Sequence, residues 1–551
     1  MTRPVAQSGK KMAACQRPII ACAGLALLCA FATLCSHRSL AQQSLPLSTN
    51  VLTAQEQRGK AIFRRGVSPS GREIIAVMGE IDVPASTLTC AGCHGERGEG
   101  KTEGGVTAGQ LTWDHLTKPY GHIHQSGRKH GPFNELSFIR AVANGLDPAG
   151  NPLLVAMPRY RMTQEEVVDL IAYVKRIATD RDPGVTERAI IIGSVLPAHG
   201  PLAETGAAMR NVLMAYFDDV NNRGGIYNRK IELRIVESRA AAVETAAAAA
   251  ELAAREQVFA FVGGLNAGAD KELAALAAER EIPFIGPGTL LPSTGTPINR
   301  QVFYLLSGVR EQAAALVNFA ASRPELMKMR AAIVADRGEL TQAAASTAEE
   351  QAKKIGWNKV DRYSYQADGF NAAQLVRKLQ LAATDVVFFF GHSGDEAAFI
   401  KEIAATGWTP HVFLLGALVG RGLVGAISQE FNDKLYLAYP TVPEDITPGG
   451  MTEFRVLHEK YKFALSHPAS QLAAFAAAKV FIEALKRAGQ NITREKLIAA
   501  LESLYDFETG VSPRLTFGPN RRVGASGAYI VGIDAGKKQF VAMGRWVEAN
   551  P

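Results

Sequence analysis

The chain has 551 residues, of which 47% are hydrophobic and 21% charged. That length exceeds one ordinary hydrophobic core and the balance is globular, which excludes a disordered chain, a collagen-like fibre and a multispan membrane protein. A formal net charge of +7 and six cysteines suggest an acidic partner and no disulfide scaffold, and both readings depend on where those residues sit.

Residues 1–18 carry Arg3, Lys10, Lys11 and Arg17 and no acidic residue. Ile19–Leu34 is almost purely apolar, and Ser39-Leu40-Ala41 offers small residues at the two positions that signal peptidase reads. In that order the three regions form a cleavable export signal over 1–41. The alternative, an uncleaved anchor, would need roughly 20 apolar residues. Cys15, Cys22, Cys29 and Cys35 leave with this segment, as do the four cations and Arg38. The mature chain is then close to neutral and retains Cys90 and Cys93 alone. Its charge implies neither nucleic acid nor an anionic membrane as partner.

Cys90-Ala91-Gly92-Cys93-His94 is a C-x-x-C-H sequence, the attachment pattern for haem c. Two thiols three residues apart share one face of a helical turn and can each form a thioether with a haem vinyl group. The adjacent imidazole then reaches the iron as proximal ligand. A redox dithiol needs no following histidine, and a cysteine zinc site needs a second pair. One covalently attached haem c is therefore expected. Further on, Met157-Pro158 precedes an amphipathic helix, with Thr163 and Glu166 spaced as a capping box and Val167, Leu170, Ile171 and Val174 at helical intervals.

Residues 51–178 resemble a class I c-type cytochrome, with Gly59–Phe63 in the first helix, Cys93–Gly98 in the haem motif and Ala172-Tyr173 in the closing helix. The resemblance implies an all-α cytochrome domain over 42–178. It also implies Met157 as distal iron ligand, with Met162 as its competitor. Met78 reads as packing and Trp113 as packing beside the haem. His115, His122, His124 and His130 read as a solvated insertion loop, the alternatives being a bis-histidine haem or a second metal. A His94/Met157 pair fills both axial positions, which favours electron transfer over chemistry at the iron.

Residues 179–188 are polar, contain Pro-Gly and read as a linker. Beyond them strands alternate with helices. Strands are expected at Ala189–Ser194, Ile231–Val236, Val258–Val262, Pro283–Gly286, Ala331–Ala335, Lys359–Tyr365, Val386–Phe390 and Val412–Leu415. Helices are expected at Glu204–Asn221, Ala240–Gln257 and Asp270–Glu281. Ile192–Gly206, Asn221–Ile226, Val262–Gly264 and Ile285–Thr289, in that order, resemble the periplasmic binding proteins of the branched-chain amino-acid receptor type.

That resemblance spans about 187–545 and implies a two-lobed α/β solute-binding domain of type I over 189–551. It places ligand contacts at His199-Gly200, Asn266-Ala267 and Gly288-Thr289 in the first lobe. Leu340-Thr341, His392-Ser393 and Ala417-Leu418 follow in the second. The family's acidic partner for a ligand ammonium is replaced by Ala417-Leu418. An unpaired buried ammonium is costly, so the expected solute is small, partly apolar and not a zwitterionic amino acid. The resulting expectation is an exported electron carrier and solute binder, not an enzyme. Its redox partner would be a protein such as a quinoprotein dehydrogenase or a terminal oxidase. Two alternatives stand beside it: an ABC importer's binding component with an appended cytochrome, and an enzyme acting at the haem.

Overall fold

The computed structural model describes residues 52–124, 126–266, 268–420, 422–537, 539–543 and 546–550. The export signal expected over 1–41 lies outside them. The chain divides into two units, the first ending at Asp180 and the second beginning at Arg181.

The first unit runs α1 (Ala54–Arg65), β1 (Ile75–Met78), β2 (Ile81–Pro84), α2 (Cys90–His94), β3 (Lys101–Glu103), β4 (Val106–Ala108), α3 (Trp113–Leu116), β5 (His122–Ile123), β6 (Lys129–His130), α4 (Glu135–Asn144), β7 (Arg159–Arg161) and α5 (Gln164–Arg176). Capping boxes start α1 at Thr53 and Glu56 and α5 at Thr163 and Glu166, so orphan amides at both helix starts are satisfied reciprocally. The two helices cross at Gly59, where an added Cβ would lie 1.9 Å from the Asp169 carbonyl oxygen. Only a hydrogen fits there. The close approach lets Ile62 and Phe63 pack into one cluster with Leu170, Tyr173 and Val174.

The expected helical frame is present, and the structure adds strands to it. A small antiparallel sheet has the order β2-β1-β7, and β3-β4 and β5-β6 are separate hairpins. Met78 sits at the β1–β2 turn and is 38% exposed, so it is not a packing residue. Helix α4 was not anticipated; Asn134 and Ser137 cap its start and Gly145 its end.

The polar stretch 179–188 is held by two buried aspartates near its start. Asp180 is buried in the first unit, 2.7 Å from Lys60 Nζ, and accepts the Tyr173 hydroxyl at 2.9 Å. In the second unit Asp182 accepts the Arg494 amide at 2.5 Å.

The second unit continues with β8 (Ala189–Leu196), α6 (Ala203–Asn222), β9 (Lys230–Glu237), α7 (Ala242–Arg255), β10 (Ala260–Val262), α8 (Asp270–Glu279), β11 (Phe284–Ile285) and β12 (Val302–Leu306). Then come α9 (Val309–Ala321), α10 (Pro324–Met327), β13 (Ala331–Asp336), α11 (Glu339–Lys354), β14 (Val360–Tyr365), α12 (Ala372–Leu381), β15 (Val386–Phe390), α13 (Asp395–Thr406), β16 (His411–Leu415), α14 (Leu423–Ala426) and β17 (Leu435–Tyr439). The chain closes with α15 (Pro448–Tyr461), α16 (Pro468–Ala488), α17 (Arg494–Glu502), β18 (Val523–Ala525), β19 (Gly527–Asp534), β20 (Gln539–Ala542) and β21 (Val547–Glu548).

These elements form two lobes. One sheet has the order β18-β12-β11-β10-β8-β9 and is parallel throughout. The other runs β14-β13-β15-β16-β17 in parallel and ends on antiparallel β19 and β20. Strands such as Val386–Phe390 are buried on both faces, as helices on either side require.

Three segments pass between the lobes: β12 into α9, β17 into α15, and β18 into β19. They are stitched together. Ser307 Oγ donates to the Gly527 carbonyl at 2.6 Å, and Asp445 accepts the Tyr529 hydroxyl, the Thr441 hydroxyl and the Val442 amide. Among the described residues no helix is long and apolar enough to cross a membrane.

Candidate cofactor and solute sites

In the first unit, Cys90, Cys93, His94 and Met157 line one cavity of about 430 Å³, walled by apolar side chains such as Phe63, Leu88, Leu116, Phe138 and Leu170. Thr89 caps α2 by accepting the Gly92 amide at 3.1 Å. Gly95, at φ 82°, then turns the chain out of the helix. The β3–β4 hairpin returns it to Gly109, whose carbonyl lies 2.7 Å from His94 Nδ1. A carbonyl only accepts, so Nδ1 carries the hydrogen and Nε2 keeps its lone pair. Burial holds the His94 pKa below the usual imidazole value against the opposing pull of the Gly109 bond, so the ring is neutral at pH 7. Burial also pushes the Cys90 thiol up to about 12, which disfavours a nucleophilic thiolate pair.

The methionine is set by a residue that sequence reasoning missed. Arg159 donates to the carbonyls of Met157 and Leu153, clipping the loop that carries Met157. Its guanidinium rests on Gly145, where a Cβ would lie 1.8 Å from Nε. Met162 packs against the helical cluster and does not line the cavity. Trp113 does not line it either: it meets Phe138 edge-on at 6.2 Å and carries Lys175 over its ring at 5.2 Å.

The four histidines of the supposed solvated loop line the same cavity. Neighbouring rings lie 4.5 Å (His115–His122), 5.3 Å (His122–His130) and 5.1 Å (His124–His130) apart, and His130 is buried. The β5–β6 pairing, His122 opposite His130, assembles them. The pairing joins residues only eight apart in one hairpin; what the sequence does not mark is that this hairpin lines the cavity of the C-x-x-C-H motif.

In the second unit, the first lobe brings Asn266 beside Gly288 and Thr289. Gly288 donates to the Gly264 carbonyl at 2.7 Å and accepts the Asn266 amide at 3.3 Å. Asn266 is buried; its Nδ2 donates to Asp270 at 2.9 Å while its Oδ1 has no partner. Thr289 accepts the Leu291 amide at 2.9 Å. His199 and Gly200 are exposed, and His199 lies 3.9 Å from Glu237 of its own lobe. Ala267 lies outside the described residues.

In the second lobe Thr341 does not present a free hydroxyl to solute. It is buried in the first turn of α11 and donates to Asp336 at the end of β13 at 2.5 Å. His392, Ser393 and Ala417 are exposed on loops after β15 and β16. Three residues that sequence reasoning passed over organise these loops. Tyr365 donates to Asp395 at 2.8 Å and accepts the His392 amide at 3.3 Å. Glu396 accepts the Gly394 amide at 2.8 Å and the Gly420 amide at 2.6 Å. The acidic pair directly after His392-Ser393-Gly394 was a legible signal. Across the two lobes, Lys271 at the start of α8 meets Glu339 at the start of α11 at 2.5 Å.

Fold and sites together define an α/β clamp of two lobes preceded by a small helical domain with a C-x-x-C-H cavity. The chain belongs to the periplasmic binding protein family, whose model matches residues 189–538, and the cytochrome c model matches residues 84–178. It thus joins a cytochrome c domain, which implies haem c, to a binding domain of the branched-chain amino-acid type. Both families are usually periplasmic.

Among similar proteins, Leu/Ile/Val-binding protein homolog 7 of Brucella suis is 24% identical over 313 residues, 54% of this chain and 77% of that protein. Homolog 8 of Brucella abortus is 25% identical over 355 residues, 60% and 84% respectively. A branched-chain amino-acid ABC transporter protein from Thermus thermophilus with bound valine has a TM-score of 0.51 at 18% identity, covering 66% of this chain and 97% of that one. A putative counterpart from Silicibacter pomeroyi has 0.52 at 17%, covering 65% and 96%. These structures share the fold.

Proposed function

We propose that this chain is an exported electron carrier whose clamp binds a small organic solute, with catalysis at neither site. The observation that carries the redox half is the single apolar cavity shared by two thiols, a neutral imidazole and a thioether sulfur. These donors fit haem c: Cys90 and Cys93 would attach it, His94 Nε2 would serve as proximal ligand and Met157 Sδ as distal ligand. Bound haem c supplies one-electron redox chemistry. Gly109 orients the imidazole, Arg159 holds the methionine loop, and the apolar wall excludes water from the iron's surroundings. Haem c held by His94 and Met157 would leave no open position for substrate, and the chain would pass electrons to or from a protein partner such as a quinoprotein dehydrogenase or a terminal oxidase.

For the clamp, the state of the carboxylates around the second-lobe loops supports a solute without an ammonium group. Asp336, Asp395 and Glu396 are each engaged by protein donors, and the loop after β16 carries Ala417 and Leu418 after Gly416. Asn266 Oδ1 supplies an acceptor without a partner in the first lobe. The second reading, delivery of solute to an ABC permease, draws on the Leu/Ile/Val-binding names of the relatives.

Two measurements on the mature full-length protein test this. Mass spectrometry and the visible spectrum should give one covalent haem and a six-coordinate, low-spin iron in both oxidation states. Met157→Ala should lose the sixth ligand, and Met162→Leu should keep it. A five-coordinate iron in the unmutated protein would overturn the carrier reading. A thermal-shift screen should favour neutral or anionic organic solutes; stabilisation by leucine or valine alone would overturn the solute class.

A further inference from the structure

We propose that the histidine cluster makes the cytochrome domain a proton-coupled electron carrier, the His124–His130 pair taking up one proton from water when the haem accepts one electron from its donor. On reoxidation the electron leaves to the acceptor and the proton returns to water. This rests on the haem c reading of the cavity.

The geometry around the pair leaves room for one proton and calls for it. His124 Nε2 and His130 Nε2 lie 3.0 Å apart. His130 Nδ1 lies 2.7 Å from the Gly131 carbonyl, so Nδ1 carries a hydrogen and the neutral ring presents a lone pair at Nε2. Arg128 Nη2 lies 3.1 Å from His124 Nε2. A guanidinium only donates, so that nitrogen also presents a lone pair. Two lone pairs facing each other at hydrogen-bond distance repel. A proton on His130 Nε2 turns the contact into a charge-assisted hydrogen bond to His124 Nε2, whose one lone pair is then shared between His130 and Arg128. The neutral alternative, a hydrogen on His124 Nε2, sets that N–H against the Arg128 N–H. Either neutral arrangement carries one repulsion, and protonation removes it.

The surroundings set where this happens. His115 from α3 and Lys118 from the turn after it face the cluster, and His122 of β5 donates Nε2–H to the His115 carbonyl at 2.8 Å. Lys129 precedes His130 on β6. From the loop after α4, buried Asp147 accepts Arg128 at 2.8 Å and favours a cation on His124. Lys101 and Glu103 of the β3–β4 hairpin line the same cavity. Burial, with Arg128 and the neighbouring imidazoles, holds His124 below the usual imidazole range, and burial, with His122 and Lys118, does so for His115. His124 is therefore mostly neutral at pH 7, and the proton affinity of the site rises when reduction removes a positive charge from the shared apolar cavity. A metal is the poorer occupant. Among the described residues no group of three ligating side chains is arranged for one, and Arg128 covers the nitrogen it would need.

The test uses the full-length holoprotein, with the midpoint potential measured by spectroelectrochemistry from acid to mildly alkaline pH. The potential should rise as pH falls through the acid side of the histidine range, by no more than about 59 mV per pH unit, the one-electron, one-proton limit. It should be flat at higher pH. The double variant His124→Gln/His130→Gln should flatten the slope while the visible spectrum is unchanged. If that variant fails to fold, His124→Gln alone serves, read by indicator-dye proton uptake on reduction in weakly buffered solution. A flat potential in the haem-loaded protein overturns the proposal, as does an equal slope in a spectrally intact variant. Stoichiometric Zn²⁺ binding lost in the variant, together with a flat potential, would assign the pair to a metal and also overturn it. Absence of covalent haem would instead fail the haem c reading itself.

Discussion

Gly59→Ala should destabilise the cytochrome domain by about 2 kcal/mol, opposite in sign to what helix propensity alone expects. Alanine in a helix interior is better than glycine by roughly 0.5–1 kcal/mol. At this position, however, the new methyl would sit 1.9 Å from the Asp169 carbonyl oxygen and 2.8 Å from Tyr173 Cβ, well inside van der Waals separation. Neither neighbour is the free end of a flexible side chain, so α1 and α5 must part by more than an ångström. A gap of that size forfeits a quarter to a half of the dispersion attraction between facing atoms, and the side chains that face one another here are Ile62, Phe63, Leu170 and Tyr173. Overpacking of this kind costs roughly 1–3 kcal/mol or more, and backbone targets put it at the upper end. For a domain of this size, between the small and mid-sized ranges, a net 2 kcal/mol lowers Tm by about 8 °C. The assay is thermal denaturation of the full-length holoprotein, followed at the haem absorption band. An unchanged or raised Tm would refute the claim that the crossing needs a glycine.

Adjacent glycines in α15 give a paired control: Gly450→Ala should destabilise the clamp, since its Cβ would meet the Gly510 carbonyl at 2.1 Å. Gly449→Ala, whose Cβ meets only Thr447 Oγ1 at 4.0 Å, should be neutral or stabilising in a denaturant titration. Glu311 is buried and caps its own helix through the Gly308 amide. Burial, against the opposing backbone hydrogen bonds, raises its pKa, so native stability from this group is present below the unfolded carboxylate range and lost as pH rises through the folded pKa. Glu311→Gln should therefore stabilise the clamp at neutral pH, a gain that vanishes near pH 4; equal effects at both pH values would contradict the burial argument. Asp180→Ala removes the buried partner of Lys60 and Tyr173. It should cost about 2–3 kcal/mol in urea unfolding of the cytochrome, less than a fully buried pair because Lys60 is partly exposed.

Much of this architecture was legible in advance because it is written locally. The runs Ile190–Ile192 and Val386–Phe390 announce buried parallel strands, and all eight expected strands of the clamp are present within a few residues. The missed features depend on partners far away in the chain. The first unit's small sheet pairs β1 with β7, about eighty residues apart. Thr341, at a family ligand position, turned inward because Asp336 five residues before it offers a buried acceptor. Trp113 packs on Phe138, from a helix that was not anticipated.

The sequence by itself determined that Cys90, Cys93 and His94 share one helical turn, since that follows from spacing within five residues. It likewise determined that an α/β clamp follows a helical domain, since hydrophobic period is a property of short windows. Tertiary structure decided which side chains face one another: Met157 rather than Met162 at the cavity, Arg159 clipping its loop on Gly145, and four histidines gathered beside the haem motif instead of spread in solvent. Those outcomes turn on strand register and helix crossing, which arise only when distant segments compete for the same buried space.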